Sequence, residues 1–195
     1  MKNQCLLEKE LFHTDPLTAA RELIGTELLC GSCSGIVVET EAYAAAGDEA
    51  AHTFTRPSAR AFVANNDAGS AYVYLNYGMY WLANVLVKSK SGDGFVLLRA
   101  LEPRKGIATM RRRRSRKDLR DLCSGPGKLT IAMGINGKDH GKSFVRGHNK
   151  LRFRTAESPV EILTTSRIGI TKSADLPWRF LKKGSLFVSA QKKGG

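Results

Sequence analysis

The chain has 195 residues, 42% of them hydrophobic, and a formal net charge of +13. This length and composition predict one soluble globular domain, and no run of eighteen apolar residues indicates a membrane-spanning helix. The N-terminus lacks the apolar core of a signal peptide, and the charge predicts a polyanionic partner, so we expect a protein that stays in the cytosol or wherever that partner is held.

The first predicted elements are a helix and a hairpin. Asp15 and Pro16 are typical of a helix start, and Gly25 predicts its end. Two strands follow, joined by a Gly-Ser turn between Cys30 and Cys33. Their C-x-x-C spacing is compatible with zinc, but no second pair or suitable histidines follow, so a hairpin turn is favoured over a metal or redox site.

The second of these strands ends in VVETEAY, where two carboxylates share a face. Alternation places Glu39, Glu41 and Tyr43 on one side. They could be a solvent-facing sheet edge, or one glutamate could be a general base that a cation keeps ionised. Arg99 follows the apolar run FVLL and could be that cation, although a purely structural ion pair is an equal alternative.

The segment from 44 to 69 is rich in Ala, Asn, Asp and Gly, which predicts a long surface loop with a short helix over 48–52. On such a helix Asp48, Glu49 and His52 would share a face, and a metal-dependent nuclease is one possible function. The pattern is not H-E-x-x-H, so a capping or core histidine is favoured.

The next segment, AYVYLNYGMYWLANV, concentrates aromatic residues in an otherwise aromatic-poor chain. Period-two alternation over 71–77 predicts a half-buried strand with Tyr72 and Tyr74 on one face. Gly78 ends it, and 79–87 could be a returning strand or a buried helical turn. We expect Tyr77, at the strand end beside a glycine, to be exposed.

After an SGDG turn, FVLLRALEP predicts another strand, and KGIATMRRRRSRKDLRDL predicts a basic helix that CSGPGK interrupts or ends. Residues 99–121 include ten basic and three acidic side chains, a net charge of +7. This clustering favours a nucleic-acid backbone over a merely solvated helix face. In the last third, VEILTTSRIGI and GSLFVSA predict strands. The whole, residues 1–195, is predicted to be a single compact α/β (α+β) domain with a curved, largely antiparallel or mixed sheet and surrounding helices.

Seven runs, in this order and with these separations, resemble the alkyladenine DNA glycosylase family, also called 3-methyladenine or methylpurine DNA glycosylases. They are GIVVETEAY, DEAAH, AYVYLNYGMY, VLLRALEP, SGPGKL, RIGI and PWRF. The resemblance extends from the first helix to the last strand. It implies a monofunctional enzyme of base-excision repair that flips a damaged purine (3-methyladenine, 7-methylguanine, hypoxanthine or ethenoadenine) out of duplex DNA and hydrolyses its N-glycosidic bond with water, leaving an abasic site.

The resemblance also implies residue roles. Glu41 matches the general base, and Arg99 with the main-chain carbonyl of Ile168 matches the groups that hold the water. The remaining roles are pocket walls (Tyr43, His52 and Tyr74), a residue that obstructs the amino group of guanine (Asn84), a wedge that replaces the flipped nucleotide (Tyr77) and DNA contacts (Arg111, Arg112, Arg113, Arg114 and Lys128).

No metal or organic cofactor is implied, and we expect a monomer that acts on double-stranded DNA, without a membrane partner. The location implied is the cytoplasm with its nucleoid in a prokaryote, or the nucleus in a eukaryote. Within 53–68 the sequence departs from the family pattern, with Ser58 for a threonine and Ala64-Asn65 for a Met-Phe pair. The alternative is therefore a lesion-binding repair protein with weak catalysis.

Overall fold

The computed structural model describes residues 5–145 and 150–189. A curled eight-stranded sheet runs in the order β3-β4-β5-β2-β1-β6, with β8 pairing with both β2 and β7, and every pair is antiparallel. The strands are β1 Glu27–Cys30, β2 Cys33–Ala44, β3 Ala71–Asn76, β4 Tyr80–Val87, β5 Gly94–Lys105, β6 Leu151–Arg154, β7 Ile162–Thr165 and β8 Arg179–Lys182. The predicted fold class, one domain with a curved antiparallel sheet and helices around it, is confirmed.

In the part of the chain that the structure describes, five α-helices surround the sheet: α1 Pro16–Glu22, α2 His52–Thr55, α3 Pro57–Asn65, α4 Ile107–Arg114 and α5 Pro126–Met133. Two 3-10 helices cover Lys9–His13 and Gly137–Asp139. None of the helices within the described residues is long and apolar enough to cross a membrane.

The N-terminal prediction is confirmed. The Asp15 carboxylate accepts hydrogen bonds from the amides of Leu17 and Thr18, both at 3.0 Å, and caps α1. The chain turns at Gly25, whose φ of +89° suits glycine. Cys30 and Cys33 face each other across the predicted two-residue turn, and both thiols are free.

The long central strands β2 and β5 form the axis of the sheet, and their pairing is irregular where the glutamates lie. Glu39 is opposite Ala100 and Thr40 is opposite Leu98, so Arg99 has no opposite residue. Such a bulge redirects side chains locally. Here it places Arg99 between the two glutamates of the neighbouring strand.

The prediction of a long surface loop over 44–69, with a helix at 48–52, is wrong. The first helix begins at His52, and α3 buries Ala59, Phe62 and Val63. Their spacing of three and four residues gives α3 an apolar face, which packs near Tyr72. Pro57 at the first turn starts this helix, because its ring already has a helical φ.

Two predictions for the second half of the chain are also wrong. The basic helix stops at Arg114, where Ser115 adopts a left-handed φ of +51°, rather than continuing through 122. The described part of GSLFVSA, 184–189, is not a strand, because the chain turns at Gly184 and Ser189 bonds to Glu39 instead of to a sheet edge. The helix α5, which sequence reasoning missed, begins at Pro126 within the predicted break.

Candidate active site

A cavity of about 390 Å³ opens beside the central strands. Its volume lies in the range typical of sites for small organic groups. Aromatic rings dominate its wall, and they come from β2, α2, the β3–β4 hairpin and β5: Tyr43, His52, Tyr72, Tyr74, Tyr77 and Phe95.

The two glutamates of β2 are fully buried below this cavity, which rules out a solvent-facing edge. Arg99 joins them, with Nε 3.0 Å from Glu39 Oε1 and Nη1 3.1 Å from Glu41 Oε2. Burial opposes the charge of Arg99, but Glu41 and Glu39 outweigh it and raise the pKa of the guanidinium. The structure thus brings the predicted base and the predicted cation together.

Glu41 also accepts hydrogen bonds from two residues of the cavity wall. The hydroxyl of Tyr43 donates to Oε2 at 2.8 Å, and the amide nitrogen of Ile168 donates to Oε1 at 2.9 Å. The contact of Ile168 with Glu41 is therefore made by its N–H, while a role for its carbonyl remains a prediction. A carboxylate accepts about four hydrogen bonds. With Arg99 these contacts account for three, one fewer than about four.

Glu39 has a different environment. Its carboxylate receives the Nε of Arg179 at 2.7 Å and the hydroxyl of Ser189 at 2.7 Å, in addition to Arg99 and the Ser189 amide. Its hydrogen-bonding capacity is thus filled by structural partners. Of the two buried glutamates, Glu41 is the one whose partners line the cavity.

The aromatic wall is electrically neutral at pH 7. Burial, assisted by the charge of Arg56, lowers the pKa of His52 to about 4, and its ring lies 4.2 Å from that of Tyr74. Burial raises the pKa of Tyr74 to about 12, and burial together with Glu41 raises that of Tyr43 well above its usual value. These rings can stack on a flat base without a charge of their own.

An ion pair that sequence reasoning missed holds the back of the cavity. Arg167 bonds to Asp48 through Nη1 at 2.6 Å and Nη2 at 2.9 Å, and both side chains are fully buried. The guanidinium lies 4.6 Å from the ring of Tyr43 and 5.1 Å from that of Trp178. An arginine next to apolar residues needs a partner if it is buried. The position of Arg167 in the run RIGI could therefore have indicated an ion pair.

This ion pair also separates the residues of the nuclease interpretation. Asp48 points to Arg167, Glu49 pairs with Lys172, and His52 lies beside Tyr72. The helical face that would have combined them does not form. Within the described residues, no group of three or more His, Cys, Asp or Glu side chains is arranged to hold a metal ion.

The hairpin between β3 and β4 forms one edge of the cavity mouth. At its tip Tyr77 is 83% exposed and has a φ of +49°, as expected for an exposed strand end. Asn84 is buried at the cavity wall, and its amide donates to the carbonyl of Tyr72 at 3.1 Å. Both predicted site residues therefore border the cavity.

The five predicted DNA-contacting residues differ in their surroundings. Arg113 donates to the carbonyl of Ala132 at 2.9 Å, and Arg114 to that of Leu122 at 3.2 Å. The remaining contacts are Arg111 with the carbonyl of Lys117 and Lys128 with Asp121. Arg112 is exposed on the same helix.

Comparison with known proteins gives a consistent result. A family model described as methylpurine-DNA glycosylase (MPG) matches residues 10–186. A protein of Rhodopseudomonas palustris (strain ATCC BAA-98 / CGA009) named "Putative 3-methyladenine DNA glycosylase" is 45% identical over 184 residues, 94% of this chain and 88% of its own. Proteins with the same name from Bradyrhizobium diazoefficiens and Agrobacterium fabrum are each 42% identical, over 94% and 93% of this chain and 90% and 91% of theirs.

Proposed function

Since the chain belongs to the methylpurine-DNA glycosylase family and is thus a DNA-repair hydrolase of N-glycosyl bonds, we propose that it flips a damaged purine into the aromatic cavity and that Glu41 activates the attacking water. The observation that carries this proposal is the buried Glu41 carboxylate, held by Arg99 directly behind the cavity wall. A base that has to accept a proton needs a free lone pair, and the three hydrogen bonds of Glu41 are fewer than the about four that a carboxylate accepts.

In the proposed reaction, water attacks C1′ of the flipped nucleotide. One water proton passes to Glu41, the oxygen bonds to C1′, and the electrons of the N-glycosidic bond leave with the purine. A purine made cationic by alkylation leaves as a neutral molecule, so it needs no acid. Among the described residues that line the cavity none is a carboxylic acid, and a neutral purine such as hypoxanthine needs other assistance.

Flipping is part of the proposal because C1′ is inaccessible to a positioned water inside stacked DNA. The exposed ring of Tyr77, with Met79 67% exposed two residues later, supports a wedge at the hairpin tip. Such a side chain can fill the space that the flipped nucleotide leaves. Asn84, fixed by its bond to Tyr72, would oppose the amino group of an undamaged guanine.

The substrate we propose is double-stranded DNA with one alkylated or deaminated purine, bound by a monomer in the compartment that holds the chromosome. The net charge of +13 supports binding to the phosphate backbone. Arg111, Arg112, Arg113, Arg114 and Lys128 remain proposed backbone contacts.

Labelled duplexes with a single 7-methylguanine, hypoxanthine or ethenoadenine test the proposal. Wild type and Glu41→Gln are incubated with each duplex in chelator, and half of each sample is then treated with alkali. Strand breaks that require both alkali and Glu41 are the expected result. Binding of a lesion without Glu41-dependent breaks would favour the lesion-binding alternative, and breaks without alkali would contradict a monofunctional glycosylase.

A further inference from the structure

The charged groups around the cavity form a network whose charges cancel. Three carboxylates and three guanidiniums are buried there in two bonded groups: Glu39 and Glu41 with Arg99 and Arg179, and Asp48 with Arg167. With the tyrosines and His52 neutral at pH 7, this network gives the cavity no net charge. Any further charge near the aromatic wall therefore determines the sign of the local potential.

Arg56 supplies such a charge. It lies at the junction of α2 and α3, and its guanidinium carbon is 5.7 Å from the ring centroid of Tyr74. Its charge also acts on Tyr72, where it opposes the rise in the pKa that burial causes. Both rings line the cavity. None of the ion pairs between described residues involves Arg56, so its charge is not cancelled as those of Arg99 and Arg167 are.

The lesions of the proposed function differ in charge. A 7-alkylated purine enters the cavity as a cation and leaves as a neutral molecule. Hypoxanthine or ethenoadenine enters neutral and leaves with the electron pair of the broken bond, unless it is protonated. As long as no proton is transferred to the leaving base, the two kinds of base differ by one unit of charge at every stage. A fixed cation nearby disfavours the first kind relative to the second by the same Coulomb energy throughout.

We propose that Arg56 is a specificity-determining residue, whose guanidinium beside Tyr74 and Tyr72 shifts the selectivity of the cavity from cationic alkylated purines toward neutral deaminated or etheno purines. This inference rests on the proposed function. It also provides the assistance that a neutral leaving purine needs, because a nearby cation stabilises the negative charge that develops on the base. Arg56 acts by its field alone and transfers no proton.

The size of the effect follows from distance and exposure. Arg56 is exposed and does not itself line the cavity, so solvent screens much of its field. At a separation of roughly 8 Å and an effective dielectric constant of about 40 to 60, one unit charge changes an equilibrium by roughly three- to sixfold. Removal of Arg56 should therefore change relative rates by a small but measurable factor.

The test compares wild type with Arg56→Gln, Arg56→Lys and Arg104→Gln. Lysine keeps the positive charge. Arg104 is the control for the loss of one positive charge away from the cavity. It is exposed near the C-terminal end of β5, whereas the cavity residue Phe95 is near the start of that strand, and it pairs with Glu157 at 3.6 Å. The measurement is kcat/KM for two duplexes of identical sequence, one with 7-methylguanine and one with hypoxanthine, at one fixed salt concentration.

We expect Arg56→Gln to raise the ratio of kcat/KM for 7-methylguanine to that for hypoxanthine about three- to sixfold, while Arg56→Lys and Arg104→Gln stay within twofold of wild type. An equal loss on both duplexes would overturn the inference, because a structural or phosphate-binding role affects both alike. A fall in the ratio would overturn it as well. If wild type excises neither base, the proposed function fails together with the inference, whereas normal excision with an unchanged ratio defeats the inference alone.

Discussion

Glu39 and Glu41 carry the same charge, are equally buried and bind the same arginine, yet their surroundings assign them different tasks. Glu39 is bonded to Arg99, Arg179 and Ser189, so it joins β2, β5, β8 and the C-terminal segment. Glu41 is bonded to residues of the cavity wall. At the residue scale, stability and catalysis are therefore expected to separate between them.

Glutamine at each position tests this separation. Glu39→Gln leaves Arg99 and Arg179 short of negative charge in a buried site, so it should lower the free energy of unfolding by about 3–5 kcal/mol. Glu41→Gln should lower it by about 1–2 kcal/mol, because Arg99 keeps Glu39. Urea denaturation of both variants measures the difference. A greater destabilisation by Glu41→Gln than by Glu39→Gln would contradict the assignment.

His52 makes a residue-scale prediction about pH. Its pKa is lowered to about 4 by burial and by Arg56, below the value of about 6.5 in the unfolded chain. The unfolded chain therefore binds a proton first, and the stability associated with neutral His52 is present above pH 6.5 and is lost as the pH falls toward 4. Between pH 7 and 4.5 this loss amounts to about 2 kcal/mol.

His52→Asn removes this titration. The free energy of unfolding of wild type should thus fall by about 2 kcal/mol more than that of His52→Asn between pH 7 and 4.5. Denaturant unfolding at the two pH values measures both. Equal falls in the two proteins would mean that His52 is not held neutral by the fold.

At the scale of elements, the β3–β4 hairpin combines strain with exposure at its tip. A left-handed φ costs a non-glycine residue about 1 kcal/mol, and the Tyr77 ring gains little packing in return. Tyr77→Gly should therefore leave the free energy of unfolding unchanged or slightly higher. If the ring is the wedge, the same variant should excise a lesion from duplex DNA at least tenfold more slowly.

The matched substrate for Tyr77→Gly is a single-stranded lesion, in which little stacking has to be broken. Single-turnover rates on single-stranded and duplex DNA separate flipping from chemistry. A proportional loss on both substrates would place Tyr77 in the chemical step instead of the wedge. A variant of lower stability than wild type would contradict the strain argument.

The helix α4 contains four consecutive arginines with different neighbours. Met110 is fully buried, and Arg113 and Arg114, three and four residues later, lie on the same face and bond to carbonyls. Arg112 is exposed, as Arg113 is, but none of the hydrogen bonds or ion pairs between described residues involves its side chain. Arg112→Gln should reduce the slope of log K against log salt for DNA binding by about 0.9 with little effect on stability.

Arg113→Gln is the matched control on the same helix. It removes a partner of the Ala132 carbonyl, and because Arg113 is itself exposed the free energy of unfolding should fall by about 0.5–1.5 kcal/mol. Titrations of duplex DNA at several salt concentrations and urea denaturation measure both quantities. An unchanged salt slope in Arg112→Gln would remove that arginine from the proposed DNA surface.

At the scale of the whole molecule, the sequence predicted those features that depend on neighbouring residues. Alternation placed Glu39 and Glu41 on one face, and the cap at Asp15 located α1. Helical spacing from the apolar Met110 would also have placed Arg113, three residues later, on the same face of the helix, and Arg112 on a different face. In contrast, the bulge that aims Arg99 depends on the pairing of β2 with β5.

The long-range contacts lay beyond such reasoning. Asp48 and Arg167 are 119 residues apart, and the fold brings together the two segments outside the strands that hold them. The helix α3 was missed because the Asn, Asp and Gly residues of the segment around it indicated a loop, although Ala59, Phe62 and Val63 have helical spacing. The family resemblance supplied proposed site residues instead, without deriving how the fold assembles them.

The central claim is that a buried Glu41, held by Arg99 behind the aromatic cavity, is the base of a metal-independent glycosylase. The most direct test is the single-turnover excision of 7-methylguanine from duplex DNA, in chelator, by wild type and Glu41→Gln, with the affinity for the lesion measured alongside. We expect a rate about 10²- to 10⁴-fold lower for Glu41→Gln, with affinity within a few-fold of wild type. Excision by Glu41→Gln within tenfold of the wild-type rate would contradict it.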